Sequence, residues 1–443
     1  AEGDEMRRTD VYVAVGGVDQ LAGTLTVRGR GDLARSQFVY DPEFAYGGQG
    51  FDLAPGLPVD DPVHGFRGIP LFVQDAGPDL WGAHLLRRAA LAKDRLASLD
   101  DLDNVLGASD FARQGALRFA DPTTGTFLSP APVPTHVDLE DLLADADDVA
   151  SENPSFSPIA RLLATGTSAL GGARAKASVT DESGQLWMAK FPMTTDRCNV
   201  PAWEKVALDL AAHARIEVPE SRLERAAGRD VLLLRRFDRD STGRIPYLSF
   251  RSLLGNADDG QDPPDYLHIA PELRAFSDTR GEDLFRRAAF GVMVNNTDNH
   301  LRNMGLLRVG RAWRSAPMFD VNPEPESGRE RHTSVAGRYG LIRIREGLEE
   351  LGRACGLDQR RVQDELTDLH DVVQGWRGLA EAYGIAEREI DRMGAAFDAV
   401  AEHVQQRPAG GMRPPAAPVR RAKTTPGSTS GSFAPRLRSE PES

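Results

Sequence analysis

The chain has 443 residues, 40% hydrophobic and 27% charged, which is the composition of a folded polypeptide long enough for two or three domains. Its formal net charge of −13 argues against an electropositive nucleic-acid-binding surface spread over the whole molecule. The two cysteines, Cys198 and Cys355, stand far apart and in no metal-ligand spacing. That excludes a disulfide framework and a zinc ribbon and fits a reducing cytoplasm. No apolar run approaches the roughly 20 residues of a membrane span, and residues 1–10 lack the apolar core of a signal peptide. A soluble cytoplasmic protein with no membrane partner is expected.

In chain order, residues 10–27 alternate around Gly16-Gly17 and predict a hairpin. A helical pattern follows at Leu80, Trp81, Leu85 and Leu86. Residues 1–120 are expected to form one subdomain. Residues 121–158, rich in Pro, Thr and Asp, read as a linker holding a short acidic helix over 139–149. Residues 159–245 predict a small sheet with one helix: strands 175–180 and 185–191 flank the turn Asp181-Glu182-Ser183-Gly184. Trp203, Val206, Ala207, Leu210 and Ala214 fall on one helical face, and 231–234 is a buried strand. Residues 246–404 predict mostly helix, broken by a hairpin over 305–313. Residues 405–443 hold seven Arg or Lys against two Glu and almost no large apolar groups, so a disordered basic tail is expected. That tail reads either as a mobile arm aiding contact with a partner or as an inert solubilising segment.

Four clusters carry candidate chemistry. The stretch Gly166-Thr167-Ser168-Ala169-Leu170-Gly171-Gly172-Ala173-Arg174-Ala175-Lys176 has the glycines, hydroxyls and cation of a phosphate-contacting loop, although a surface loop could share that composition. Lys190 ends an apolar strand face with Leu186 and Met188; it either snorkels to water or binds phosphate as in a protein-kinase small lobe. Glu204, on the next helix, is a candidate ion-pair partner. The run 295–303, Asn-Asn-Thr-Asp-Asn-His-Leu-Arg-Asn, follows an apolar helix. Its Asp298-x-x-x-x-Asn303 spacing is that of a kinase catalytic loop, where the aspartate accepts a hydroxyl proton and the asparagine holds Mg²⁺; the bland alternative is a polar helix cap. Last, Asp320 in Met318-Phe319-Asp320-Val321-Asn322-Pro323 can complete a Mg²⁺ site with Asn303. Loop, lysine, Asp-x-x-x-x-Asn, hairpin and aspartate occur in the order a kinase requires.

From Asp10 to about Val404 the sequence resembles the HipA family of toxin kinases. The resemblance rests on GGARAKASV (171–179), AKFP (189–192), RRFDR (235–239), NNTDNHLRNMGLL (295–307) and APMFDVNP (316–323), with GIPLFVQDAGPDLWG (68–82) and GALRF (115–119) near the N-terminus. It implies an α+β, two-lobed protein-kinase-like fold: a small-sheet N-terminal lobe with an accessory subdomain, and a mostly helical C-terminal lobe. It further implies ATP and Mg²⁺ between the lobes, Asp298 as catalytic base, and Asn303 and Asp320 on the metal. Lys190, Lys176, Ser168, Gly171, Gly172, His300 and Arg302 would attend the nucleotide, with Arg235 and Phe237 at the adenine hinge. Family members phosphorylate an aminoacyl-tRNA synthetase, often the glutamyl enzyme, and halt translation. A HipB-like helix-turn-helix antitoxin neutralises them and carries them to operator DNA. Two positions depart from the family pattern: Arg235 replaces a common hinge Glu, and Ala169 replaces a self-phosphorylated serine, leaving Ser168 and Thr167 as the nearest acceptors. The competing readings are a kinase-like phosphotransferase for a small molecule or lipid, and a catalytically silent co-repressor that binds an antitoxin.

Overall fold

The computed structural model describes residues 6–92, 99–130, 138–151, 156–166, 174–255 and 264–405. The predicted N-terminal hairpin forms from β1 (Met6–Val15) and β2 (Val18–Arg28). Gly16 and Gly17 connect them at φ +57° and +79°, the left-handed pair that a two-residue turn between twisted strands requires. With β3 (Arg35–Tyr40), β4 (Val63–Arg67) and β5 (Leu117–Ala120) they make an antiparallel sheet in the order β4-β3-β2-β1-β5. Val11, Val13, Leu25, Val27 and Phe38 point inward and are fully buried. The short helix Asp101–Gly107 packs beside this sheet and starts with a capping box between Asp100 and Asp103.

The second sheet holds β6 (Lys176–Thr180), β7 (Leu186–Lys190), β8 (Ser221–Ala226) and β9 (Arg229–Arg235), antiparallel in the order β6-β7-β9-β8. Period-two alternation divides β7 between two surroundings. Trp187 and Ala189 join Phe191 in a core with Leu142, Leu143 and Val149 of the helix Leu139–Ala150 and with Ile159 and Leu162 of the helix Phe156–Ala164. Met188 packs instead on Phe319, and Lys190 shares its side of the strand. The acidic helix expected inside a linker therefore backs this sheet. The helix Val200–His213 crosses from the sheet to the main core through Trp203, Val206 and Leu210.

After the two-residue strands β10 (Arg239–Asp240) and β11 (Gly243–Arg244), β12 (Tyr247–Ser249), β13 (Gly305–Val309) and β14 (Ala312–Ser315) form a three-stranded sheet. The predicted hairpin is β13–β14. Apart from the irregular stretch 316–343, the remaining elements are helices: Tyr266–Phe276, Gly281–Met293, Ile344–Ala354, Gln359–Val373, Trp376–Ala382 and Glu387–Gln405 surround a core that includes Phe285, Phe290, Leu348 and Leu369. Among the described residues no helix is long and apolar enough to cross a membrane. The tail expected to be disordered lies outside the described residues, apart from Gln405, which closes the last helix.

Candidate active site

Three chain segments far apart in sequence converge on one carboxylate. Lys190 leaves the end of β7 with its side chain buried, and its Nζ donates to Glu204 Oε1 at 2.7 Å and to Asp320 Oδ1 at 2.6 Å. Asn303 Nδ2 donates to the other oxygen, Asp320 Oδ2, at 2.7 Å. Asn322 Nδ2 reaches Oδ1 at 3.3 Å. Burial opposes the Lys190 ammonium, yet Asp320 and Glu204 outweigh it and hold its pKa above the ordinary value. Burial, with a smaller push from Asp320, raises Glu204 above the usual carboxylate range. With one cation between two carboxylates, the cluster carries a surplus negative charge when all three are ionised. Asp320 sits at φ +56°, a left-handed conformation that aspartate tolerates better than most residues. Phe319 locks it there by packing on Phe237 and Met188.

The run of asparagines follows from how the helix Gly281–Met293 ends. Asn295 adopts φ +50°, and the Asn296 amide donates back to the Gly291 carbonyl at 2.9 Å, a left-handed C-terminal cap. The next residues leave the helix as a loop rather than another turn. Asp298 is well exposed, its side chain 62% accessible, and His300 Nε2 lies 2.7 Å from its Oδ1. The loop is braced from behind: the His332 amide donates to the Thr297 carbonyl at 2.8 Å, Thr333 Oγ1 donates to the Asn299 carbonyl, and Asn299 bonds Tyr266. The His300 and His332 rings lie 3.7 Å apart. A short 3₁₀ turn, Leu301–Asn303, then aims Asn303 inward.

Lys176, a candidate phosphate ligand, opens β6 fully buried and pairs with Asp79 of the N-terminal region, a partner that sequence reasoning missed. Burial pushes the Asp79 carboxyl up to about 6 against the pull of Lys176. At the hinge, Arg235 turns outward to Glu220 and Gln185, whereas Phe237 faces inward. Met188, Leu234, Phe237 and Phe319 enclose a narrow apolar slot beside Lys190. Arg236, expected with its neighbours 235 and 237 at the adenine hinge, instead forms a fully buried ion pair with Asp238 at 2.6 Å. His300, Arg302 and Asn303 line a separate cavity of about 310 Å³. Thr167, Ser168, Gly171 and Gly172 lie outside the described residues.

The donor set can be tested against the implied metal. Among the described residues no three His, Cys, Asp or Glu side chains cluster in a way that would hold an ion by themselves. Asp320 and Asn303 supply hard oxygens in a negatively charged pocket, which suits Mg²⁺ because that ion binds through one or two protein oxygens plus phosphate.

Residues 168–376 match the family model of the HipA-like C-terminal domain. That stretch, a little under half of the chain, is similar to the HipA-like C-terminal domain. The solved HipA of Shewanella oneidensis MR-1, from a complex with HipB and operator DNA, superposes with a TM-score of 0.61 at 12% identity; the match covers 89% of this chain and 96% of that one. The α+β, kinase-like fold expected of a HipA protein is therefore borne out. The Helicobacter pylori proinflammatory kinase CtkA gives a TM-score of 0.41 at 14% identity over 53% of this chain and 93% of that one. No curated protein matches the sequence.

Proposed function

We propose that this HipA-like chain is an ATP- and Mg²⁺-dependent serine/threonine protein kinase, the toxin of a two-component module. The observation that carries the reading is the hydrogen-bonded line Glu204–Lys190–Asp320–Asn303, assembled from a strand, two loops and a helix. In this reading Phe237, Leu234 and Met188 receive the adenine, and Lys190 and Lys176 attend the phosphates. Mg²⁺ on Asp320 and Asn303 would neutralise charge on the phosphate oxygens. Asp298 takes the acceptor hydroxyl's proton as that oxygen bonds the γ-phosphorus and the bond from phosphorus to the β-phosphate bridging oxygen breaks. Its exposure suits a base that must meet a macromolecule. His300 orients it.

The acceptor in this reading is a serine of an aminoacyl-tRNA synthetase, with the glutamyl enzyme favoured, so that translation stops. A HipB-like helix-turn-helix antitoxin restrains the chain and brings it to operator DNA, which suits a protein of net charge −13 that would not hold DNA by itself. The test incubates the purified chain with Mg²⁺, γ-labelled ATP and each purified synthetase. The reading expects label on a serine of one synthetase, and growth arrest on expression that Lys190→Met relieves. Label on none of them, with equal growth of both strains, contradicts it.

A further inference from the structure

We infer that His332 is a positioning residue for the proposed phosphoryl transfer: its ring holds the His300 ring, which in turn orients Asp298. The inference rests on the kinase reading and adds to it a residue that lies outside every motif of the sequence. Asp298 needs such help because its side chain is 62% accessible, so packing does not fix it. His300 Nε2 lies 2.7 Å from Asp298 Oδ1 and must carry the proton of that bond, since an ionised carboxylate only accepts. With Oδ1 held, Oδ2 remains for the proton of the acceptor hydroxyl. Yet the His300 side chain is itself 40% accessible, and one bond between two exposed groups fixes neither.

The third member supplies what is lacking. The His332 ring packs on that of His300 with centroids 3.7 Å apart and planes inclined by 48°. His332 belongs to the irregular stretch 316–343, yet its backbone is pinned to the catalytic loop at its own position and on both sides. The His332 amide donates to the carbonyl of Thr297, the residue before Asp298, at 2.8 Å, and Thr333 Oγ1 donates to the carbonyl of Asn299, the residue after it. The Arg331 amide donates to the Tyr339 carbonyl at 2.8 Å, and the Ser334 amide to the Pro264 carbonyl at 2.9 Å. The Ser334 hydroxyl is held by Asp265. The backbone on both sides of the base is thus tied to the backbone that carries the His332 ring, while the ring itself is exposed. An exposed ring buries little surface, so the fold does not depend on it. What the contact removes is the rotational freedom of His300. A phenyl ring would do the same, and that separates positioning from any proton chemistry of the His332 imidazole.

The experiment uses the full chain as wild type, His332→Ala, His332→Phe, His300→Ala and the double variant His300→Ala/His332→Ala. Each is incubated with saturating Mg²⁺ and γ-labelled ATP in a phosphatase-treated bacterial lysate, and labelling above that of the lysate alone is followed. Mg²⁺-ATP affinity is measured by calorimetry. His332→Ala is expected to slow labelling about three- to tenfold, the factor that one aromatic contact supplies, with nucleotide affinity unchanged. His332→Phe is expected to stay near the wild-type rate, and the double variant to be no slower than His300→Ala. Wild-type labelling by His332→Ala overturns the inference. So does a His332→Phe protein as slow as His332→Ala, because the imidazole itself would then be needed. A double variant slower than His300→Ala also overturns it, since His332 would then act by a route other than His300. A wild type that labels nothing sinks the kinase reading, and this inference with it, an outcome distinct from the other three.

Discussion

Lys190 is shared between two carboxylates, and that sharing is the residue-scale key to the site. An ammonium bonded only to Asp320 would compete with a metal for the oxygens the metal needs. Glu204 draws part of that bond away. Glu204→Gln should therefore leave the fold intact and lower the apparent Mg²⁺ affinity in nucleotide binding about tenfold, the scale of one charge-assisted hydrogen bond. A Mg²⁺ titration of nucleotide affinity checks it; an unchanged Mg²⁺ dependence would refute that role for Glu204. The polar side chains of this cluster were legible in the sequence because each interrupts an apolar pattern: Lys190 ends a hydrophobic strand face, Asp320 sits between Phe319 and Val321, and Asp298 and Asn303 follow a buried helix. Asp79 was not legible. Its partner Lys176 stands 97 residues away, and no local spacing marks the pair.

At the scale of elements, β9 and the hinge after it are fastened by the pair Arg236–Asp238. Asp238 Oδ2 also accepts from the Gly115 amide at 2.7 Å, and Arg236 donates to the Ala112 carbonyl at 2.8 Å. Burial works against the Asp238 carboxylate, but Arg236 and Arg239 overcome it and hold its pKa well below the usual range. Removing one charge of such a pair strands the other, so Asp238→Asn should cost about 3–5 kcal/mol in urea unfolding. The sign with pH follows from the lowered pKa. The carboxylate contributes stability above its unfolded value of about 4 and loses it as pH falls through the lower folded value. The variant should therefore lose less stability than wild type on acidification below pH ~4. The sequence announced RRFDR as a motif and the helix at 139–149 as a helix, yet not their packing. An acidic helix in Pro-rich surroundings reads as linker until Leu142, Leu143 and Val149 are seen beneath a sheet.

On the whole-molecule scale, the N-terminal sheet module, the second sheet and the helical lobe meet around one site. Asp79 reaches Lys176, Asp75 reaches Ser249, and Gly115 reaches Asp238. The main hydrophobic core runs without a break from Val11 and Phe38 to Phe285 and Leu369. The hairpins and helices of this architecture were readable from period-two and period-3.6 patterns, whereas the merging of the first module into the main core was not, because burial of Val11 or Phe38 looks the same in a separate domain. Phosphoryl transfer with Asp298 as the base is tested by comparing wild type with Asp298→Asn. Purified proteins are given Mg²⁺, γ-labelled ATP and the protein acceptor, and transfer and nucleotide affinity are read together. With Asp298 as the base, transfer falls by roughly a hundredfold to ten-thousandfold in the variant while Mg²⁺-ATP affinity is unchanged. Transfer by the variant at the wild-type rate would contradict it.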